Sequence, residues 1–126
     1  LDSWSDYHRV VAVEDVIIGF LLVMSEASDY DGDNFRWFVE RYSRFLYVDR
    51  IVIDRTSARR GAGSALYADL IKFAATQSWS TLCCEINVSP PNPVSHAFHA
   101  GFGFKEVGRS GTGGAPKVVS YQVAEI

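Results

Sequence analysis

Six consecutive residues, Arg59-Arg60-Gly61-Ala62-Gly63-Ser64, place two guanidinium groups directly ahead of a Gly-x-Gly turn. A strand that ends in such a turn and opens a helix presents free backbone N–H groups and the positive end of the helix dipole, a setting suited to phosphate-like anions. The same letters also serve a tight turn with close helix–sheet packing, and alone they do not choose between the two. Glu85 is the only charge in the apolar run 81–88. A carboxylate there must find partners, face a cleft or bear a desolvation cost. It can work in a cleft, or it can be one half of a structural ion pair with an arginine. His96 and His99 are three residues apart, one helical turn, and without further context read as helix-face histidines bonded to neighbours.

Other chemistries fail on the letters. A Walker loop needs Gly-Lys-Ser/Thr after its first glycine and four intervening residues, and Gly61 is followed by no such lysine. A dinucleotide fingerprint needs a third Gly or Ala where this chain has Leu66. Cys83-Cys84 has no second cysteine pair and no suitably spaced histidines, so buried structural thiols are expected and no metal site. The sequon Asn87-Val88-Ser89 falls at the end of an expected buried strand and is discounted.

The elements that must position these residues follow from periodicity. Residues 8–14 and 16–24 read as two antiparallel strands joined at Glu14-Asp15, with Gly19 marking a bulge. An acidic loop holding Glu26, Asp29, Asp31 and Asp33 leads into an aromatic segment, 35–42, expected as a short helix or turn. That loop can attract a cation, or it can be a plain solvated loop over an aromatic core. Residues 45–54 read as a central strand. Residues 64–77 carry an apolar stripe at helical spacing through Leu66, Leu70 and Phe73. The run 81–88 is expected to be buried on both faces and parallel to the central strand through a right-handed crossover. Pro93 is compatible with the first turn of a helix over 93–100. Residues 105–109 and 117–125 close the chain as two strands around a glycine-rich loop.

The chain of 126 residues suits a single domain over 1–126. Twelve basic and fifteen acidic residues give a net charge of -3, without the electrostatic footprint of a nucleic-acid or anionic-membrane binder. Two adjacent cysteines cannot form a disulfide framework, which favours a reducing compartment. The longest apolar stretch, 16–24, is too short to span a bilayer and follows no basic region, so cytoplasm is the default expectation. Leu1 stands almost at the start of a strand pattern, which leaves open whether a further N-terminal segment precedes it.

The stretch from Ile53 to Leu66 resembles the acetyl-CoA pyrophosphate loop of the GNAT superfamily, Arg/Gln-x-x-Gly-x-Gly/Ala, with Ala58 at the first position and Arg59 beside it. Asn92-Pro93-Val94-Ser95-His96-Ala97-Phe98-His99-Ala100-Gly101-Phe102-Gly103-Phe104 resembles that family's later motif, in a form similar to phosphinothricin- and amino-acid-type acetyltransferases. The resemblance covers most of the chain from about Tyr47 onward. It implies an α/β fold with a central mixed, mostly antiparallel sheet flanked by helices, and direct transfer of acetyl from acetyl-CoA to a primary amine of a small molecule, amino acid or peptide. It implies cofactor contacts from Ile51, Val52, Ile53, Arg59, Arg60, Gly61, Ala62, Gly63, Ser64, Ala65, Asn92, Ser95, Phe98 and His99. It further implies Glu85 as base, with Asp49 as second candidate against a salt bridge to Arg50 or Arg41, and His99 near the cofactor sulfur at the family's tyrosine position. Asn92 can cap a helix and contact the pantetheine arm at once. The resemblance allows a homodimer. Ala58 and His99 depart from the family pattern and keep a non-catalytic acyl-CoA-binding module as the alternative.

Overall fold

In the computed structural model of the chain, the residues described are 7–13, 16–30, 32–53, 61–89, 91–111 and 117–126. The two β-branched N-terminal runs pair antiparallel as β1 (Tyr7–Val13) and β2 (Val16–Ser25). Their register jumps between Val11 and Ala12, which face Gly19 and Ile17, so Ile18 is the extra residue beside the expected bulge position. Gly19 serves the next strand too: a Cβ there would stand 2.8 Å from the Ile53 side chain and 3.0 Å from the Val52 carbonyl oxygen. The aromatic segment contains a helix, α1 (Asp33–Val39), and the central strand is β3 (Leu46–Ile53). Helix α2 (Ala62–Thr76) leads to β4 (Thr81–Ser89), and α3 (Pro93–Ala100) begins at the proline, with Asn92 as its cap. Strands β5 (Lys105–Ser110) and β6 (Val118–Glu125) follow.

The strands form one sheet in the order β1-β2-β3-β4-β6-β5. All neighbours are antiparallel except β3 and β4, which are parallel as the crossover through α2 requires. The two closing strands do pair, with β6 on the inside between β4 and β5. One apolar layer packs Leu21, Val23, Leu46, Val48, Leu82 and Ile86 beneath α2, whose inward stripe is Leu66, Tyr67, Leu70 and Ala74. Phe98 and Phe102 bring α3 and its C-terminal turn onto the same layer. On the opposite face, Phe35 and Phe38 of α1 cover Met24, Phe45, Tyr47, Cys83 and Tyr121. Both cysteines are free and buried. Among the described residues, no helix is long and apolar enough to cross a membrane.

A second bulge matters more. Leu22 faces Arg50 and Val23 faces Val48, so Asp49 has no partner on β2. The extra residue shifts the alternation of β3 by one, and Ile51 and Ile53 therefore join the layer that already holds Leu46 and Val48. Strand β4 is less enclosed than its composition suggests. Leu82, Cys83, Cys84 and Ile86 are buried, whereas Glu85, Asn87 and Val88 are only partly so and Ser89 is exposed. The reason is its short pairing with β3, described below.

Of the acidic loop, Glu26 is structural. Its Oε1 accepts from the Phe45 backbone N–H at 2.9 Å and the Trp79 indole N–H at 3.0 Å, and Arg44 stacks 4.4 Å over the same indole. One carboxylate thus ties the end of β2 to the start of β3 and the α2–β4 connection. Asp33 pairs with Arg36 at the surface, Asp29 is exposed, and Asp31 lies outside the described residues. Glu26→Ala strands two donors and is expected to cost about 2 kcal/mol by urea unfolding. Glu26→Gln keeps an acceptor oxygen and costs less.

Candidate active site

Strands β3 and β4 pair at only two positions, Leu46 with Leu82 and Tyr47 with Cys83. Beyond them the strands part, and β4 continues against β6 alone. A cleft of about 170 Å³ opens in the gap, lined by Asp49 and Ile51 of β3, Cys84 and Glu85 of β4, and Ser95 and His99 of α3. A second cleft, of about 360 Å³, lies between the end of β3, the start of α2 and α3, and includes Ile51, Ile53, Gly63, Ser64, Asn92 and Phe98. Ile51, Ser95 and His99 line both, so the two clefts adjoin.

The gap reaches both faces of the sheet. Cys83 and Tyr47 belong to the layer under α1, while Cys84 and Val48 belong to the layer under α2. By alternation Glu85 stands on the α1 face, where the Tyr47 hydroxyl donates to its Oε1. Burial pushes the Glu85 carboxyl up to about 7; the Tyr47 hydrogen bond opposes this and the charge of Asp49 adds to it. Asp49 is nearly buried, accepts from the Tyr30 hydroxyl, and lies 3.2 Å from the exposed Arg50. Arg41 is engaged elsewhere, with Glu40 and over the Trp37 ring.

On the other face His99 is buried and both of its ring nitrogens are used. Nδ1 lies 2.8 Å from the Ser95 carbonyl oxygen, which can only accept, so Nδ1 carries the proton. Nε2 is then an acceptor, and the Tyr67 hydroxyl donates to it at 2.7 Å. Burial pulls the imidazole below its usual range, consistent with a neutral ring. The Ser95 hydroxyl lies 3.2 Å from Nδ1 and, unlike the imidazole, is only half-buried. His96 bonds the Asn87 carbonyl on another side of α3.

The glycine turn appears in part. Gly61 holds φ +83°, the left-handed region that glycine adopts without strain, and sets the entry to α2. Among the described residues no side chain caps this helix, and no acidic residue occupies its first turn. Gly63 is buried against Phe98, and a Cβ would stand 3.0 Å from that ring. Ser64 and Ala65 are exposed. Arg59 and Arg60 lie outside the described residues. Asn92 caps α3 through Ser95 N–H at 3.2 Å while lining the larger cleft.

The structure therefore brings together Asp49, Ile51, Glu85, Ser95 and His99, and sets Ile53, Gly63, Ser64, Asn92 and Phe98 alongside. Val52, in contrast, turns its side chain outward and is 46% exposed, so only its backbone is available at this edge. Tyr30, Tyr47 and Tyr67, which hold the three titratable groups, were not singled out by sequence reasoning. For Tyr47 and Tyr67 the one signal was a phenol at an apolar position of a strand or helix stripe; Tyr30, in the loop after β2, carried none. Burial pushes both thiols up, and among the described residues no cluster of three candidate ligands could hold a metal ion.

The sequence model of the Acetyltransferase (GNAT) family matches residues 1–104. No curated protein matches the chain. Among solved structures, a Bacillus anthracis protein named as a streptothricin acetyltransferase, in complex with acetyl coenzyme A, superposes with a TM-score of 0.70 at 17% identity, covering 94% of this chain and 61% of its own. A ribosomal-protein-alanine N-acetyltransferase from Brucella melitensis gives 0.67 at 19% identity, covering 94% and 68%. An IAA acetyltransferase from Bacillus cereus gives 0.68 at 12%, covering 94% and 77%. At these identities the likeness is one of fold, and the chain spans about three fifths of the first of them.

Proposed function

Because this chain belongs to the GNAT acetyltransferase family, we propose that it transfers acetyl from acetyl-CoA to a primary amine of a small molecule, amino acid or peptide. The observation that carries this reading is the parting of β3 from β4. It opens a passage through the sheet with two carboxylates on one face and, on the other, a helix start that no side chain among the described residues caps.

The residues present suit acetyl-CoA. The first-turn N–H groups of α2, at Ala62, Gly63 and Ser64, meet no competing side-chain cap among the described residues and suit a diphosphate. Without a Cβ, Gly63 lets the Phe98 ring pack against this helix start. Past Tyr47, the β3 backbone from Ile51 to Ile53 is free of β4 and can bond an amide-bearing arm. The amine then enters from the α1 face. Glu85 takes the ammonium proton, the freed nitrogen attacks the thioester carbonyl carbon, and the carbon–sulfur bond breaks while the second nitrogen proton passes to the departing sulfur, giving the amide and the CoA thiol. Asp49 favours the cation before attack. At the sulfur, the group offered is the Ser95 hydroxyl: with Nδ1–H of His99 behind it, its own hydrogen is free to bond the thiolate. His99 thus acts through Ser95 rather than as the direct acid.

Calorimetry with acetyl-CoA tests the reading, followed by thiol release against amines that span small amines, amino acids and short peptides. Binding below millimolar and amine-dependent release are expected. A folded protein that fails to bind millimolar acetyl-CoA overturns it.

A further inference from the structure

Tyr47 is the last residue of β3 paired with β4, and Cys83 is its partner. Glu85 is the next residue beyond Cys83 on the same face. The phenol therefore stands at the apex where the strands part and reaches across to the first carboxylate past it. Its ring is 2% exposed and wedged against Phe35 at 5.4 Å and Phe38 at 5.9 Å between centroids, which fixes the direction of its hydroxyl. We propose that Tyr47 is a positioning residue, one that orients the Glu85 carboxyl in the gap between the strands and favours its anionic form without touching substrate. This deepens the reading above and rests on Glu85 acting there as base.

A phenol suits the task. Burial, and then the neighbouring carboxylate, push ionisation of Tyr47 far above its usual range, so it remains a donor at every working pH. The groups around Glu85 are Tyr47 and Asp49 of β3, Tyr30 after β2, Lys117 ahead of β6 and Tyr121 across the β4–β6 ladder, with Arg50 and His99 lining the same cleft and the Cys84 thiol on the opposite face of the sheet. Burial and Asp49 favour the neutral acid, while Tyr47 and Lys117 favour the anion. Only Tyr47 among them is held rigidly by ring packing and also bonds the carboxyl directly.

The test is a carboxyl NMR titration of protein carrying ¹³C-labelled glutamate, with the Glu85 signal assigned by its loss in Glu85→Gln. In Tyr47→Phe the midpoint is expected to rise by about one to two pH units above the wild-type value. A site-specific fluorotyrosine at position 47 keeps the ring, donates more strongly and moves the midpoint down. It decides the matter should the phenylalanine variant fail to fold. Equal midpoints in wild type and variant overturn the inference. If the midpoint moves as expected while Glu85→Gln leaves turnover intact, the bond is real and the base assignment falls instead.

Discussion

Glu85→Gln is expected to slow acetyl transfer by about 10²- to 10⁴-fold, with acetyl-CoA affinity retained. Wild-type kcat/KM should climb as pH rises through about 7, where burial places the Glu85 carboxyl, because only the anion accepts a proton. The variant should lose that limb. Stability moves the other way. The folded-state value is raised above the ordinary carboxyl value, so the folded protein holds this proton more tightly than the unfolded chain. That contribution is fully present below about pH 4.5 and is lost as pH rises through about 7. At pH 8 and above, wild type therefore carries a buried carboxylate at a cost of about 3 kcal/mol, which a neutral amide avoids. The amide introduced by Glu85→Gln still offers an acceptor oxygen to the Tyr47 hydroxyl. Thermal unfolding at pH 5 and pH 9 should show the variant gaining stability relative to wild type only at the higher pH. A variant with unchanged rate and an intact acid limb would hand the proton to Asp49 or to water.

That carboxylate was visible in the sequence; its setting was not. A single charge in an aliphatic run is a local anomaly, so Glu85 could be singled out from the letters alone. The helix start at Pro93 was equally legible, because Asn-Pro carries both a cap and a permitted first-turn proline. So were the strands, whose apolar runs are long and β-branched. What escaped depended on register between distant segments. The bulge at Asp49 arises from how β2 meets β3, and no residue type in 46–53 announces it. The bond from Tyr47 to Glu85 spans 38 residues and exists because β3 and β4 pair for two positions and then separate. The same separation explains why β4 is not enclosed along its whole length. Glu26 was counted with the acidic loop because charge is a local property, whereas its donors, Phe45 N–H and the Trp79 indole, come from segments 19 and 53 residues away.

His99→Ala is expected to destabilise the fold by about 3 to 5 kcal/mol, the range of a large buried side chain removed together with its hydrogen bonds. The ring is 4% exposed and lies within 5.3 Å, centroid to centroid, of Tyr67, Phe98 and Phe104, and the Tyr67 contact ties α3 to α2. Its loss leaves a cavity and strands the Tyr67 hydroxyl, which is itself fully buried. Tyr67→Phe in the same background should recover part of the loss by removing the stranded hydroxyl, and the double-mutant cycle isolates that share. The pH dependence carries its own sign. With the folded-state value depressed by burial, the ring contributes stability above about pH 6.5 that is lost as pH falls and the imidazole must charge. His99→Ala should lack this acid sensitivity. The neutral ring also bears on catalysis: a group held as an imidazole by Ser95 and Tyr67 contributes no basic limb to the pH–rate profile. Should that limb appear near neutral pH in wild type and vanish in His99→Gln, the imidazole would be the direct acid, and the Ser95 hydroxyl would lose the role its half-buried position suggests.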